Sequence, residues 1–433
     1  MIPNKGLIAP SVELNSIQTD RFKTETLSIT ISIPKEHSES LLFGLLLALL
    51  KRGTEKFPTI GHINRRLDEL YAASASSRLD RFGPAYALGF SAELLDECYT
   101  DGAVDIFDGA LEVITQMMFH PLTDDKGLFL SHLVESEKEI VCDLIRSSIN
   151  NPKTYAAIRC REILFEKETN GVTIAESLKR VGEATLESLT DLYRALIERP
   201  FFRVFYIGSK SREQVEQKVM NRLAPYLSAQ PAAKPVPEAS PAVSVTCRHV
   251  DEKTEAAQGK LVIGLRTGVR VSDPDFYATL VFNEIYGGSP VSKLFMNVRE
   301  RLSLCYYCSA SYEIYRGVIF VSCGVDPEKR DEAEGEIFRQ LEEIRGGRFT
   351  QGEFDAAIKS LVSNYRSLSD MPANVESFYG GRDLFGIDCT IDQCIEGIRS
   401  VTREDVIRAA EQIVADTVFF LWGDLAEEDE DDE

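Results

Sequence analysis

Residues 27–33 read LSITISI and residues 260–265 read KLVIGL, two short apolar runs with the length and composition of buried strands. Each is followed by an apolar stretch too long for a strand, residues 40–51 and 276–286, which predicts a buried helix. A glycine turn, a polar helix ending near Tyr71 or Tyr306, and a pair of strands come next in both places, with 86–93 corresponding to 318–325. Helices over 104–119 and 128–148 then stand against helices over 332–344 and 351–369. Asn151-Pro152 and Met371-Pro372 interrupt the helical pattern at matching places, as a residue before proline is pushed out of the helical region. A helix and an apolar strand, 203–208 or 418–423, close each series.

This parallel order predicts an internal duplication. A shift of 235 positions (288 − 53) places Gly53 on Gly288, Ile63 on Val298, Arg66 on Arg301, Leu67 on Leu302 and Tyr71 on Tyr306, without a gap. Ser74-Ala75-Ser76 then falls on Ser309-Ala310-Ser311. Between the two series lies SAQPAAKPVPEASPA, residues 228–242, whose four prolines make an extended, semi-rigid connection. The predicted organisation is an N-terminal domain over 1–227, a linker over 228–243, a C-terminal domain over 244–426 and an acidic tail over 427–433. The fold class is α+β: two homologous domains, each a mixed or antiparallel sheet packed against helices.

Charge and composition narrow the functions. The chain has 433 residues, with 48 Lys plus Arg against 69 Asp plus Glu, a formal charge of 48 − 69 = −21. That balance argues against nucleic acid and anionic membrane as partners, since both need a basic surface. The longest apolar run, 41–50, is too short for the ~20 residues of a membrane span. Residues 1–10 show no signal-peptide pattern, and nine scattered cysteines suit reduced thiols, so a cytoplasmic location is expected. Cys305-x-x-Cys308 stands alone in a strand-like run. An odd spacing puts two strand side chains on opposite faces, so it is expected to be structural rather than metal-binding or redox-active.

The two halves together resemble the pitrilysin/insulinase zinc peptidases, which include the mitochondrial processing peptidases. The likeness rests on the apolar helix leading into KRGTEKFP (51–58), on residues 67–76, and on Gly287-Gly288, Ser292-Lys293-Leu294-Phe295, Val298-Arg299-Glu300 and Tyr306. Such enzymes carry His-x-x-Glu-His on the first apolar helix, where two histidines hold zinc and the glutamate acts as general base, with a distal glutamate as third ligand. Registered on Gly53-Thr54, those positions hold Gly44, Leu47 and Ala48, and the distal position falls on Leu144, where a one-residue slip would offer Asp143 instead. Glycine, leucine and alanine can neither ligate a metal nor move a proton. The five histidines, at 37, 62, 120, 132 and 249, form no alternative pair at ligand spacing. His62 and His132 are expected to be surface or capping residues, and Glu135, Glu137 and Glu139 a solvated helix face.

The family also uses an arginine and a tyrosine seven residues apart in a later domain, and Arg299 and Tyr306 stand at that spacing. The resemblance therefore implies half of a processing-peptidase-like clamshell: a zinc-less subunit of a heterodimeric peptidase. It would assist catalysis in trans through Arg299 and Tyr306, with no cofactor of its own. The implied partners are a homologous subunit bearing His-x-x-Glu-His, which would carry the zinc, and an unfolded peptide substrate. Two alternatives stay open: an inert structural or peptide-binding homologue, and a homodimer of the same shape. Tyr71, which occupies the place of Tyr306 in the first half with Asn64 in the place of the arginine, favours an architectural share in the tyrosine's role.

Overall fold

The computed structural model describes residues 2–34, 40–82, 85–166, 173–228, 246–254 and 258–423. Most of the predicted linker, the acidic tail and His37 lie outside the described residues. The chain runs β1 (Asn4–Ala9), β2 (Val12–Gln18), β3 (Thr24–Pro34), α1 (Phe43–Leu50), α2 (Ile60–Glu69), β4 (Ser74–Phe82), β5 (Ala85–Leu95), α3 (Ile106–Phe119), α4 (Ser131–Ile149) and α5 (Pro152–Phe165). It continues through α6 (Ile174–Glu183), α7 (Leu186–Glu198), β6 (Phe202–Gly208), α8 (Arg212–Leu223), β7 (Arg248–Lys253), β8 (Gly259–Arg266) and α9 (Phe276–Asn283). Then come two π-helical segments, Glu284–Gly288 and Leu294–Arg301, followed by β9 (Cys305–Glu313) and β10 (Val318–Val325). Helices α10 (Arg330–Arg345), α11 (Gln351–Ser367), α12 (Pro372–Leu384), α13 (Ile391–Ser400) and α14 (Arg403–Gln412) precede β11 (Val414–Trp422).

The fold is α+β, and the duplication is visible in the sheets. One sheet has the order β1-β2-β6-β3-β5-β4 and the other β7-β11-β8-β10-β9. With the edge strand β1 set aside, the two orders correspond strand for strand. In each, one parallel pair, β2 with β6 or β7 with β11, sits in an otherwise antiparallel sheet. The long apolar runs are core: Leu27 and Ile29 of β3 and Leu261 and Ile263 of β8 are fully buried. Several helix starts are written in the sequence as capping boxes. The Thr350 hydroxyl accepts from the backbone N–H of Glu353 while the Glu353 carboxylate accepts from the backbone N–H of Thr350, and Thr390/Gln393 and Thr402/Asp405 repeat the device. Strands β1, β2 and β7 escaped the reading from sequence. β7 is polar and β1 has only the short run Leu7-Ile8-Ala9, and neither strand has a fully buried position.

The compact units cut across the linear halves. The first comprises 1–145, 174–238 and 369–386, and the second 146–173, 239–368 and 387–433. Helix α5, encoded before the linker, thus covers the sheet built after it, and α12 does the reverse. The two prolines mark the crossings. Pro152 opens α5 behind the N-cap Asn151, and Pro372 opens α12, at the position where a missing N–H costs nothing.

Chemistry at each seat explains the exchange. On the second sheet, Ala156, Cys160, Leu164 and Phe165 of α5 pack with Val262, Val318, Phe320, Phe419 and Leu421. Burying Leu164 and Phe165 contributes about 2 kcal/mol each. The last carbonyls of α5 are capped by sheet arginines: Arg248 donates to the Ile163 oxygen at 2.5 Å and Arg266 to that of Leu164 at 2.8 Å. Arg159 and Tyr155 both donate to Glu252 of β7. On the first sheet Val375 of α12 packs with Ile17, Phe205 and Ile207. Arg203 of β6 donates to the Gly380 carbonyl at 2.8 Å and pairs with Asp383 at 3.2 Å. Glu376 is buried on the same sheet, 2.7 Å from Arg78 and accepting from Ser28 at 2.5 Å. Burial pushes the Glu376 carboxyl above its ordinary range, while the Arg78 charge and the Ser28 hydroxyl pull it back.

Two outcomes follow. Glu376→Ala leaves Arg78 and Ser28 without their buried partner and is expected to cost about 3 kcal/mol in urea denaturation. Residues 1–227 and 244–433, expressed separately, each lack the helix that covers their sheet. Each is expected to fail to give a cooperative unfolding transition alone, and mixing them is expected to restore one.

Candidate functional site

The four positions where the resemblance implies zinc chemistry lie on two helices of the first unit. In α1 the apolar run buries Phe43, Leu45, Leu46, Leu47, Leu49 and Leu50, so the helix is covered on nearly every side. Gly44 is exposed, Ala48 half-buried, and Leu47 only 3 % exposed. A Cβ added at Gly44 would meet nothing within 4 Å. The turn that follows is architectural: a Cβ on Gly53 would come within 2.6 Å of the Pro58 carbonyl, and Thr54 binds the Phe57 N–H. Leu144 lies on the exposed side of α4. Gly44, Leu47, Ala48 and Leu144 offer no nitrogen, sulfur or oxygen side-chain donor, so these residues do not fit a zinc ion.

The glutamates of α4 differ from the expectation of a solvated face. Glu135 and Glu139 are exposed, but Glu137 is 5 % exposed and sits 3.2 Å from Arg52, just beyond the end of α1. His62 behaves as expected. Its backbone and ring both meet Thr59, the N-cap of α2.

Arg299 and Tyr306 are brought together. Leu294 and Val298 anchor the π-helical segment 294–301 in the core, leaving Arg299 on its outer side. The chain then turns through Ser303 at φ 49°. Backbone bonds from Ser303 N–H to the Arg299 oxygen (3.1 Å) and from Leu304 N–H to the Val298 oxygen (3.0 Å) hold the turn closed. Tyr306 follows on the outward face of β9, 61 % exposed. Arg299 and Tyr306 line one open cleft of about 420 Å³ with Glu300, Cys305, Asp326 and Lys329. The Arg299 guanidinium lies 4.7 Å from the Phe295 ring centre and 3.4 Å from Glu300. The Tyr306 hydroxyl donates to Asp326 over 3.3 Å, a long bond that a better acceptor would displace. Both side chains therefore keep donors available to an oxygen in the cleft.

Tyr71 is only partly equivalent. It stands before β4 in a left-handed turn at φ 59°, and its hydroxyl donates to Asp101 at 2.8 Å, which raises the phenol's pKa. Asn64, in the place of Arg299, carries no charge. Asp326 and Lys329 escaped the reading from sequence, because both lie beyond the far end of β10 and reach the cleft only through strand pairing.

The expectation for Cys305 and Cys308 needs correction. A bulge in β9 pairs Cys305 with Val325 and Tyr307 with Gly324, so the alternation breaks between residues 305 and 307. Both thiols face inward, and both are buried. Hydrogen bonds from Cys308 and Cys323, with the nearby Arg299 charge, hold the Cys305 thiol well below the ordinary cysteine range.

Residues 183–361 match the family model described as "Peptidase M16 inactive domain". The chain is 26% identical over 409 residues to "Probable inactive metalloprotease YmfF" of Bacillus subtilis strain 168, covering 94% of this chain and 95% of that protein. The chain is therefore similar to inactive M16 metallopeptidases. It is also 22% identical over 372 residues to "Uncharacterized zinc protease YmxG" of the same strain, covering 82% of this chain and 86% of that protein. A crystal structure of a conserved protein from Enterococcus faecalis V583 superimposes with a TM-score of 0.90 at 23% identity, covering 99% of this chain and 100% of that one. The M16 likeness thus runs through both duplicated units. Among the described residues, no helix is long and apolar enough to cross a membrane.

A stability measurement tests the reading of α1. Leu47→Glu places a carboxylate in the core and is expected to cost about 3 kcal/mol or more in urea denaturation. Gly44→His, on the open side, is expected to cost less than about 0.5 kcal/mol, since the helix gains by losing glycine.

Proposed function

We propose that this chain is the zinc-less subunit of a two-chain M16 peptidase, active only beside a homologous subunit that bears His-x-x-Glu-His. The observation that carries the proposal is a contrast. The metal-motif positions hold Gly44, Leu47, Ala48 and Leu144, whereas Arg299 and Tyr306 stand together in an open cleft with donors to spare. The similarity to one relative named as an inactive metalloprotease and another named as a zinc protease, both in one bacterial strain, supports a division of labour between paired chains.

In this reading an unfolded peptide crosses the cleft with the carbonyl oxygen of its scissile bond toward Arg299 and Tyr306. Arg299 supplies a fixed positive charge and directed N–H groups; Tyr306 supplies an O–H that leaves Asp326 for the substrate oxygen. Both bonds strengthen as negative charge builds on that oxygen. Loss of one such donor costs about 3–4 kcal/mol of transition-state stabilisation. The partner supplies the metal and the general base, and this chain needs no cofactor for peptide cleavage. Nine free cysteines support a cytoplasmic setting.

Purified alone, the chain is expected to show no peptidase activity. Mixed with its His-x-x-Glu-His partner, it is expected to give activity that Arg299→Ala lowers by about 100-fold or more in kcat/KM. Tyr306→Phe is expected to lower it by about 10-fold or more. Sedimentation is expected to show unchanged association for both variants. Full activity of a complex carrying both substitutions would rule out the catalytic role.

A second reading rests on Tyr71. Its Oη–Asp101 bond resembles that of Tyr306 to Asp326, so the tyrosine serves architecture in at least one unit. An inert, peptide-holding or structural homologue would form the same complex, or a homodimer, without peptidase activity. Sedimentation of the pure chain and peptidase assays with the partner separate these outcomes.

A further inference from the structure

Cys305, Cys308 and Cys323 converge in the second unit. Their three sulfur atoms all lie within 4.8 Å of one another. Cys308 and Cys323 are directly opposite in the β9–β10 ladder, and the bulge turns Cys305 into the same space. Burial alone would account for any one of them, since a thiol packs as a small apolar group. It does not account for three sulfurs pointing at one another across two strands.

The dimensions fit an ion. Sulfurs bound to one metal at ~2.3 Å stand about 3.8–4.0 Å apart, which falls inside the 4.8 Å that encloses the three sulfurs here. Strand β10 pairs without a break with β8, and β9 pairs with β10 on both sides of the bulge, so the three thiols are arranged before any ion arrives. Cys308 and Cys323 are 2 % and 0 % exposed, whereas Cys305 is 9 % exposed and lines the Arg299 cleft. The cluster is therefore closed on the core side and open toward solvent at one ligand. Thiolate sulfur selects zinc(II) and copper(I) over hard cations such as magnesium or calcium. The nearby guanidinium of Arg299 offsets the negative charge that three thiolates leave around such an ion. A disulfide would use two sulfurs and leave the third unexplained.

We propose that Cys305, Cys308 and Cys323 form a three-thiolate site for one thiophilic metal ion, zinc(II) or copper(I), opening on the cleft that holds Arg299 and Tyr306. The site is separate from the peptidase metal that the family carries on its first helix. A bound ion clasps the start of β9 to β10 at the bulge, next to the turn that carries Arg299.

The test uses the full chain, reduced and stripped of metal, and cadmium(II) as a spectroscopic probe. One equivalent is expected to bind with a thiolate-to-metal charge-transfer band. Cys305→Ser, Cys308→Ser and Cys323→Ser are each expected to weaken binding on the order of 100-fold and to remove about a third of the band. Cys389→Ser, in the other thiol pair (Cys389 and Cys394 sulfurs 3.2 Å apart), is expected to leave both unchanged. Competition by zinc(II) and by copper(I) tells which ion the site prefers. Alkylation of the unsubstituted chain, mapped by mass spectrometry, is expected to show Cys305 protected once the metal is added, a readout that does not depend on any variant folding. Binding that survives all three substitutions, equal labelling of Cys305 with and without metal, or a disulfide within the trio in the freshly isolated protein would each overturn the proposal.

Discussion

Every other feature of this molecule rests on an exchange of helices between its two sheets. A sheet buries one face against its own helices and must find a cover for the other. Here the cover is encoded across the linker, and arginines fasten it. Arg248 and Arg266 cap the last carbonyls of α5, and Arg203 meets α12 at Gly380 and Asp383. These are charge-assisted bonds in a largely dry setting, where each is worth more than on the surface and more costly to leave unmade. The arrangement makes the duplicated units mutually dependent, even though each has a complete sheet of its own.

That frame separates two kinds of position that the M16 likeness would otherwise treat alike. Helix α1 is enclosed almost all round, and its single open side carries Gly44 and Ala48. At the positions where the resemblance implies metal chemistry, Leu47 is packed in the core while Gly44 and Ala48 stand on the open side. The cleft of the second unit has kept its polar character. Its π-helical segment is anchored by Leu294 and Val298, and the tight turn at Ser303 aims Arg299 and Tyr306 at one space. Apolar anchoring on one side and exposed donors on the other give a site that is positioned without being filled.

Much of this was legible in the chain. The apolar runs of β3, β8 and α1, the threonine capping boxes and the ungapped repeat from Gly53 to Tyr71 all report local physics, and the structure follows them. What escaped has a physical reason in each case. Helix α12 buries Glu376, Arg382 and Asp383, so a hydrophobic–polar pattern marks as exposed what is in fact covered. Glu137 is hidden by Arg52, a partner far away in the sequence. The inward turn of Cys305 depends on a bulge, and strict alternation predicts the opposite face. Asp326 and Lys329 join Arg299 only through the pairing of β9 with β10. Sequence patterns report a residue's own preference; they do not report a distant partner that overrides it.

The crossing helices also set a timetable for synthesis. When α5 leaves the ribosome, the sheet it will cover has not been made, and its final strand, β11, is among the last described elements of the chain. At ~5–20 residues per second, that interval is on the order of ten to fifty seconds. The first sheet, complete at Gly208, waits in turn for α12, which ends at Leu384. Neither unit can close before its crossing partner has been made, so the apolar surfaces around Phe165 and Phe205 stay uncovered through much of translation. A nascent chain of this design depends on protection from other molecules for most of its synthesis, and a stop codon anywhere after the linker but before α12 would leave both units open.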